Sequence, residues 1–233
     1  PNHLHDAHIR LALRLRADAI CEKPLVVKPW NLDALEELEE ETGRKVYNIL
    51  QLRVHPALIS IKKKFAKTDK KHDVILTYIT SRGPWYRYSW KGDINKSGGI
   101  ATNIGIHFFD FLMWVFGKVQ ESEVHLYADD KMAGYIELEN ANVRWFLSTD
   151  RLDLPQEAIE LNQSTYRLIT VDGEEVEFTK GFTDLHTIVY QEILNGKGFG
   201  IADARPSIEL VYKIRNSTIN NKFDYLHPFI LSK

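Results

Sequence analysis

The chain has 233 residues, enough for one large domain or two smaller ones. Its 44% hydrophobic and 27% charged content is ordinary for a globular protein, and a formal charge of −2 speaks against a nucleic-acid partner, which selects a basic surface. The single cysteine, Cys21, excludes an intramolecular disulfide and fits a reducing cytoplasm; no signal peptide or spanning apolar run stands out, so a cytoplasmic protein with no membrane partner is expected.

The opening, Pro1-Asn2-His3-Leu4-His5, reads as a loop that follows something, so a preceding segment is expected. A helix is expected over 5–16 and a short buried strand over 18–21, broken by Pro24. A second helix over 31–42 buries Leu32, Leu35 and Leu38, exposes a run of glutamates, and stops at Gly43. A strand over 46–52 follows. This α-β-α-β order is the pattern of a parallel sheet with crossover helices, and two strands make only the tail of a doubly wound unit. After Arg53 the pattern changes. A helix over 56–65, a solvated lysine-rich loop over 67–72 and a strand over 74–82 precede a long aromatic loop over 83–97. Strands are expected over 121–128, 133–139, 141–148, 164–171 and 174–178, with tight turns at Asn140 and Asp172-Gly173. Helices over 184–195 and 203–220 close the chain. The expected fold class is therefore α/β plus α+β, with a mostly antiparallel open sheet backed by helices.

The chemistry concentrates in Ser97 to Asp110. A glycine pair, Gly98-Gly99, ends a polar loop and a helix opens, with Thr102 or Asn103 as its N-cap. Asn103, His107 and Asp110 are spaced i, i+4, i+7 and share one face, while Phe108, Leu112, Val115 and Phe116 form the apolar one. An amide, an imidazole and a carboxylate on one face can hold a sugar hydroxyl and move its proton. They can equally be a satisfied structural set.

Cys21-Glu22-Lys23-Pro24 after a buried strand, then Gly98-Gly99 and Asn103-x-Gly105-x-His107-x-x-Asp110, resemble the Gfo/Idh/MocA family of NAD(P)-dependent oxidoreductases. Pro1-Asn2-x-x-His5 is similar to that family's loop ahead of the Glu-Lys-Pro strand. Gln51 to Pro56 and Tyr78 to Gly83 resemble the branch that oxidises the sugar 3-hydroxyl of UDP-N-acetyl-glucosaminuronate for surface polysaccharide (lipopolysaccharide O-antigen). The resemblance implies that 1–52 is the C-terminal remnant of an NAD-binding Rossmann domain and 53–233 a substrate-binding and oligomerisation domain. The family's Gly-rich phosphate turn is absent from the sequence, so this stretch alone is expected to be inactive.

Within that resemblance, Lys23 and His107 are the catalytic candidates. Burial lowers a lysine pKa toward a useful range, and a histidine titrates near neutrality. Asp110 either orients the imidazole or serves as a structural partner. Asn2, His5, Glu22, Lys23 and Pro24 are the implied cofactor contacts, with the Lys23-Pro24 bond expected in cis. NAD is the expected cofactor, with NADP not excluded. Arg53, Arg82, Asn103, His107 and Asp110 are the implied contacts to a UDP-sugar substrate, whose carboxylate and diphosphate suit arginine. Trp85, Tyr86 and Trp90 either stack on uracil or sugar or pack structurally. No metal is expected, because His3, His5 and His8 match no ligand spacing. Apolar Tyr135, Trp145 and Phe146 are expected to lie exposed on a broad sheet, favouring a homo-oligomer, tetramer or dimer. The rival readings are another sugar or polyol dehydrogenase of the family, or a non-catalytic assembly module.

Overall fold

The computed structural model describes residues 1–65, 70–177, 183–220 and 224–231. Residues 67–69 of the expected loop over 67–72, and the last residue of the expected strand over 174–178, lie outside the described residues.

Helix α1 (His5–Arg14) follows a 3-10 turn, Asn2–Leu4. Strand β1 (Ala19–Cys21), helix α2 (Trp30–Thr42) and strand β2 (Val46–Asn48) follow, and β1 and β2 pair in parallel. Gly43 caps α2 with φ 66°, a left-handed conformation that glycine adopts without a Cβ clash. The strand expected over 46–52 stops at Asn48, because residues 51–54 turn into a 3-10 helix.

Helix α3 (Pro56–Phe65) leads to β3 (His72–Thr80). The segment expected as an aromatic loop folds instead into two single-turn helices, α4 (Trp85–Tyr88) and α5 (Ile94–Ser97). Asp93 caps α5 by accepting from the Asn95 amide, at 2.9 Å. Helix α6 (Ile106–Phe116) comes next and stops at Gly117. Strands β4 (Val119–Tyr127), β5 (Lys131–Leu138) and β6 (Ala141–Ser148), the five-residue α7 (Gln156–Glu160), β7 (Thr165–Val171) and β8 (Glu174–Glu175) follow. Helices α8 (Leu185–Leu194), α9 (Ile201–Asn216) and the short α10 (Pro228–Leu231) end the described chain.

The second sheet has six strands in the order β4-β5-β6-β3-β7-β8. Every pairing is antiparallel except β3 with β6. One contiguous apolar core runs from α1 and α2 through α6 and α9 to the inner face of this sheet. Residues 94–116 have the length and apolar composition of a membrane span, yet 72% of that window is buried inside the fold. It is a core helix by packing.

The helix–sheet contact is close. A Cβ on Gly105 would lie 2.6 Å from Leu147 Cδ1 and 2.9 Å from Phe109 Cε2. Phe109 stacks edge-on to Trp145 at 5.3 Å. The sequence expectation that Tyr135, Trp145 and Phe146 lie exposed is corrected here: they are 6%, 0% and 1% exposed. Trp145 faces α6. Tyr135 and Phe146 face the other way, where Tyr225, His227 and Phe229 stack on them.

His227 is fully buried in this outer layer. Its Nδ1 accepts from the Phe229 amide, so Nε2 is left to donate to Thr77 Oγ1 at 3.1 Å. Burial holds its pKa down at about 3, with Arg144 pushing the same way. The folded chain therefore resists protonation that the unfolded chain accepts, and stability falls as pH drops from 6.5 toward 3. By pH 5 this one group is expected to cost about 2 kcal/mol. Urea titrations at pH 7 and 5 check this: His227→Gln should lose less stability between the two pH values than the parent. Gly105→Ala should lower stability by about 1–3 kcal/mol through overpacking, read by thermal unfolding.

Candidate active site

Lys23 lies two residues beyond the carboxyl end of β1, and the Lys23-Pro24 bond that follows it is cis, as expected. Its Nζ donates 2.8 Å to the backbone oxygen of Asn103, eighty residues away. Burial lowers the lysine pKa to about 8; Glu22 opposes the shift, and Lys91 and Arg82 add to it. A lysine so placed is partly neutral near physiological pH and can accept a proton.

Asn103 lies in a π-helical turn, Ala101–Gly105, that opens directly into α6. Such widened turns recur at functional sites, because they break the regular ladder and re-aim side chains. The expectation that Thr102 or Asn103 caps this helix is not met. Gly98 and Gly99, at φ 86° and 78°, turn the chain early, and helical residues already start at Gly99. Thr102 is buried inside the turn, with its hydroxyl unpartnered. The Asn103 side chain instead donates to the Tyr86 hydroxyl at 2.5 Å. Tyr86 thus belongs to the wall of the site as a hydrogen-bond partner. Trp85 stays half exposed, with the Lys91 ammonium 5.5 Å from its ring centre and 5.6 Å from that of Trp90.

Lys23, His107 and Asp110 line one small cavity of about 10 Å³ with Leu50, Leu52 and Ile106. Of the expected face, His107 and Asp110 meet at this cavity and Asn103 does not line it. His107 departs from expectation in its chemistry. Its pKa lies well below the ordinary value, chiefly through burial, with Lys23, His186 and Arg167 adding to the shift. It is a neutral imidazole at physiological pH, able to donate or accept a hydrogen bond. Asp110 does not turn to it. Its carboxylate takes the Arg53 guanidinium in a two-pronged pair, at 2.7 and 3.0 Å. Burial raises the Asp110 pKa and Arg53 opposes the rise. The two residues expected at the substrate thus hold each other.

The remaining candidates scatter around this centre. Asn2 is buried and donates 2.8 Å to the Ser97 carbonyl. His5 Nδ1 lies 2.8 Å from the Pro24 carbonyl, and burial lowers its pKa. Glu22 meets His186 Nε2 at 2.9 Å, both half exposed. Arg82 is exposed and lines a cleft of about 290 Å³ with Tyr86, Tyr88 and Arg151. Lys91, Arg167 and His186 join it as charges that reach Lys23 or His107. None of these three is marked by a local motif. Arg167 is visible only through its register opposite Tyr78 on the neighbouring strand. Together they make a cationic surround, suited to an anionic ligand. A larger cavity, about 720 Å³, is lined by Arg53, Asp110, Trp114, Leu210 and Lys213 but by neither Lys23 nor His107, and is not this site.

Comparison with known proteins places this arrangement. The oxidoreductase family C-terminal alpha/beta domain of Gfo/Idh/MocA proteins matches residues 71–152. The chain is 52% identical to the WlbA (WbpB) dehydrogenase from Thermus thermophilus, solved with NAD and alpha-ketoglutarate; the TM-score is 0.95, and the match covers 98% of this chain and 74% of that one. A second structure of the Thermus protein, with NAD and UDP-GlcNAcA, matches at 51% identity and a TM-score of 0.94 over the same shares. The D-glucoside 3-dehydrogenase of Escherichia coli is 23% identical over 68% of this chain, and the oxidoreductase YteT of Bacillus subtilis 29% over 53%. The chain spans 52% and 29% of the lengths of those two curated relatives. On the ordered Glu-Lys-Pro and Asn-x-Gly-x-His segments, the shared fold and the 52% identity, the chain belongs to the Gfo/Idh/MocA family of oxidoreductases.

Proposed function

We propose that these residues belong to an NAD-dependent dehydrogenase that oxidises the sugar 3-hydroxyl of UDP-N-acetyl-glucosaminuronate to a ketone. The observation that carries this reading is a buried amine of pKa about 8, Lys23, lining one cavity with the neutral His107. Secondary-alcohol oxidation needs such a base, and the surrounding cations suit a substrate carrying a carboxylate and a diphosphate. The Thermus relative solved with NAD and UDP-GlcNAcA supports the same reading. The pathway we assign is surface-polysaccharide biosynthesis in the cytoplasm, with the enzyme a homo-oligomer, dimer or tetramer. We assign the activity to a polypeptide that also carries a Gly-rich dinucleotide turn. This stretch alone is expected to be inactive.

The residues present fit a nicotinamide cofactor. β1 and β2 are parallel, and Glu22, Lys23 and Pro24 follow the carboxyl end of β1, where open α/β sheets bind ligands. Asn2, His5, Glu22, Lys23 and Pro24 would hold it. When bound, NAD supplies the hydride acceptor. Neutral Lys23 takes the hydroxyl proton at Nζ. His107 hydrogen-bonds the same oxygen and steadies it as the carbonyl forms. Asn103 and Arg82 orient the sugar and its anionic groups, with Tyr86 holding the Asn103 amide in place.

Because the base is the deprotonated form of a group with pKa about 8, the oxidation rate is expected to rise with pH through that value. His107, already neutral, contributes no limb above pH 6.5. Lys23→Met should remove the limb and lower kcat by about 10²- to 10⁴-fold, in steady-state assays across pH 6–9.5. An unchanged profile would take Lys23 out of the mechanism. Substrate profiling tests the ligand. UDP-N-acetyl-glucosaminuronate is expected to turn over and free polyols or neutral glucosides not to; equal turnover of a neutral glucoside would replace the nucleotide-sugar reading with that of a general sugar dehydrogenase.

A further inference from the structure

Arg53 sits in the 3-10 turn that follows β2, with its side chain only 10% exposed. Its Nε and Nη2 reach the two Asp110 oxygens at 3.0 and 2.7 Å. Its Nη1 reaches Asp203 Oδ1 at 2.9 Å, and Nη2 also donates to the Asp203 carbonyl at 3.0 Å. The Phe199 ring lies 5.3 Å from the guanidinium carbon. The other Asp203 oxygen accepts from the Gly200 amide at 2.9 Å and so caps α9. One guanidinium therefore joins three segments: the turn after β2, the middle of α6 and the first turn of α9.

We propose that Arg53, Asp110 and Asp203 form a positioning clamp for His107, and that Arg53 does not contact a substrate anion. A phosphate or carboxylate at Arg53 would have to displace Asp110, whose side chain is 4% exposed, and leave that carboxylate buried and unpaired. Asp110 lies one helical turn beyond His107, so the clamp sets both the rotation and the height of α6 beneath the imidazole. It works against a second contact on the same helix, the close approach of Gly105 to Leu147. A helix held at both points places His107 beside Lys23. Released at Asp110, it can rotate. The three residues are positioning residues, because none needs to touch the reacting atoms.

The kinetic arm of the test rests on the dehydrogenase reading; the spectroscopic arm does not. Arg53→Lys keeps the charge but loses the two-pronged fork, and Asp203→Asn removes one anchor at a half-exposed position. Both are expected to shift the His107 imidazole ¹⁵N resonances of the 233-residue chain. In the active dehydrogenase both should lower kcat by about 10- to 100-fold, with KM for the UDP-sugar changed less than about threefold. Asp110→Asn should do the same; if it fails to fold, the other two variants carry the test. A KM raised more than tenfold with kcat unchanged would make Arg53 a substrate contact and overturn the clamp. Unmoved His107 resonances would overturn it as well. If the parent turns over no UDP-sugar, the dehydrogenase reading fails, and the His107 resonances still decide the clamp.

Discussion

The site depends on how α6 is seated against the six-stranded sheet. Phe108, Phe109, Phe111, Leu112 and Phe116 are all buried, and the approach at Gly105 leaves no room for a Cβ. Burying side chains of this size contributes on the order of 2 kcal/mol each, enough to offset the ordering of a polar face that gains little by itself. That seating explains why an imidazole, an amide and a carboxylate can sit on a helix that otherwise reads as core. The apolar face holds the helix still, and the polar face is free to be chosen for chemistry.

Charge is sorted around this helix into two kinds. On one side Arg53 is neutralised by Asp110 and by Asp203. On the other, Lys91 and Arg82 lie close enough to disfavour the charged form of Lys23, and His186 and Arg167 do the same to His107. The first set is closed and structural. The second is a concentration of positive charge, and it depresses the pKa of the buried amine and the imidazole alike. Helix α9 links the two parts of the chain. Its Arg205 pairs with Asp33 and Glu36 on α2, and Tyr212 meets Trp30 edge-on at 5.3 Å. The β1–β2 pair and the larger sheet are therefore braced by the same helix that Asp203 caps.

Much of this was legible in order and spacing. The parallel β1–β2 pair, the antiparallel strand series, the turns at Asn140 and Asp172-Gly173, and the shared face of His107 and Asp110 all follow from periodicity and turn residues. Other features were not. The helix expected to begin at Thr102 or Asn103 starts earlier and widens into a π turn, because two glycines at positive φ turn the backbone first. The aromatic stretch after Gly83 reads as loop because α4 and α5 are each a single turn, too short to show a period. Tyr135 and Phe146 read as exposed because nothing in their strands announces that residues 225–229 fold back over them.

The sequence by itself determined the family, the order of most elements and the two candidate residues, Lys23 and His107, that the fold brings to one cavity. Those are encoded in short, local patterns: a Glu-Lys-Pro after a strand, and an Asn-x-Gly-x-His run where a helix opens. Only the tertiary structure decided the protonation and the partners. Burial sets the state of Lys23 and His107, and burial is a property of everything packed around them, not of their neighbours in the chain. Arg53 finds Asp110 across 57 residues and Asp203 across 150, and no spacing rule reaches that far. A side chain's type is written in the sequence; what it spends its hydrogen bonds on is settled by which distant groups the fold brings within three ångströms.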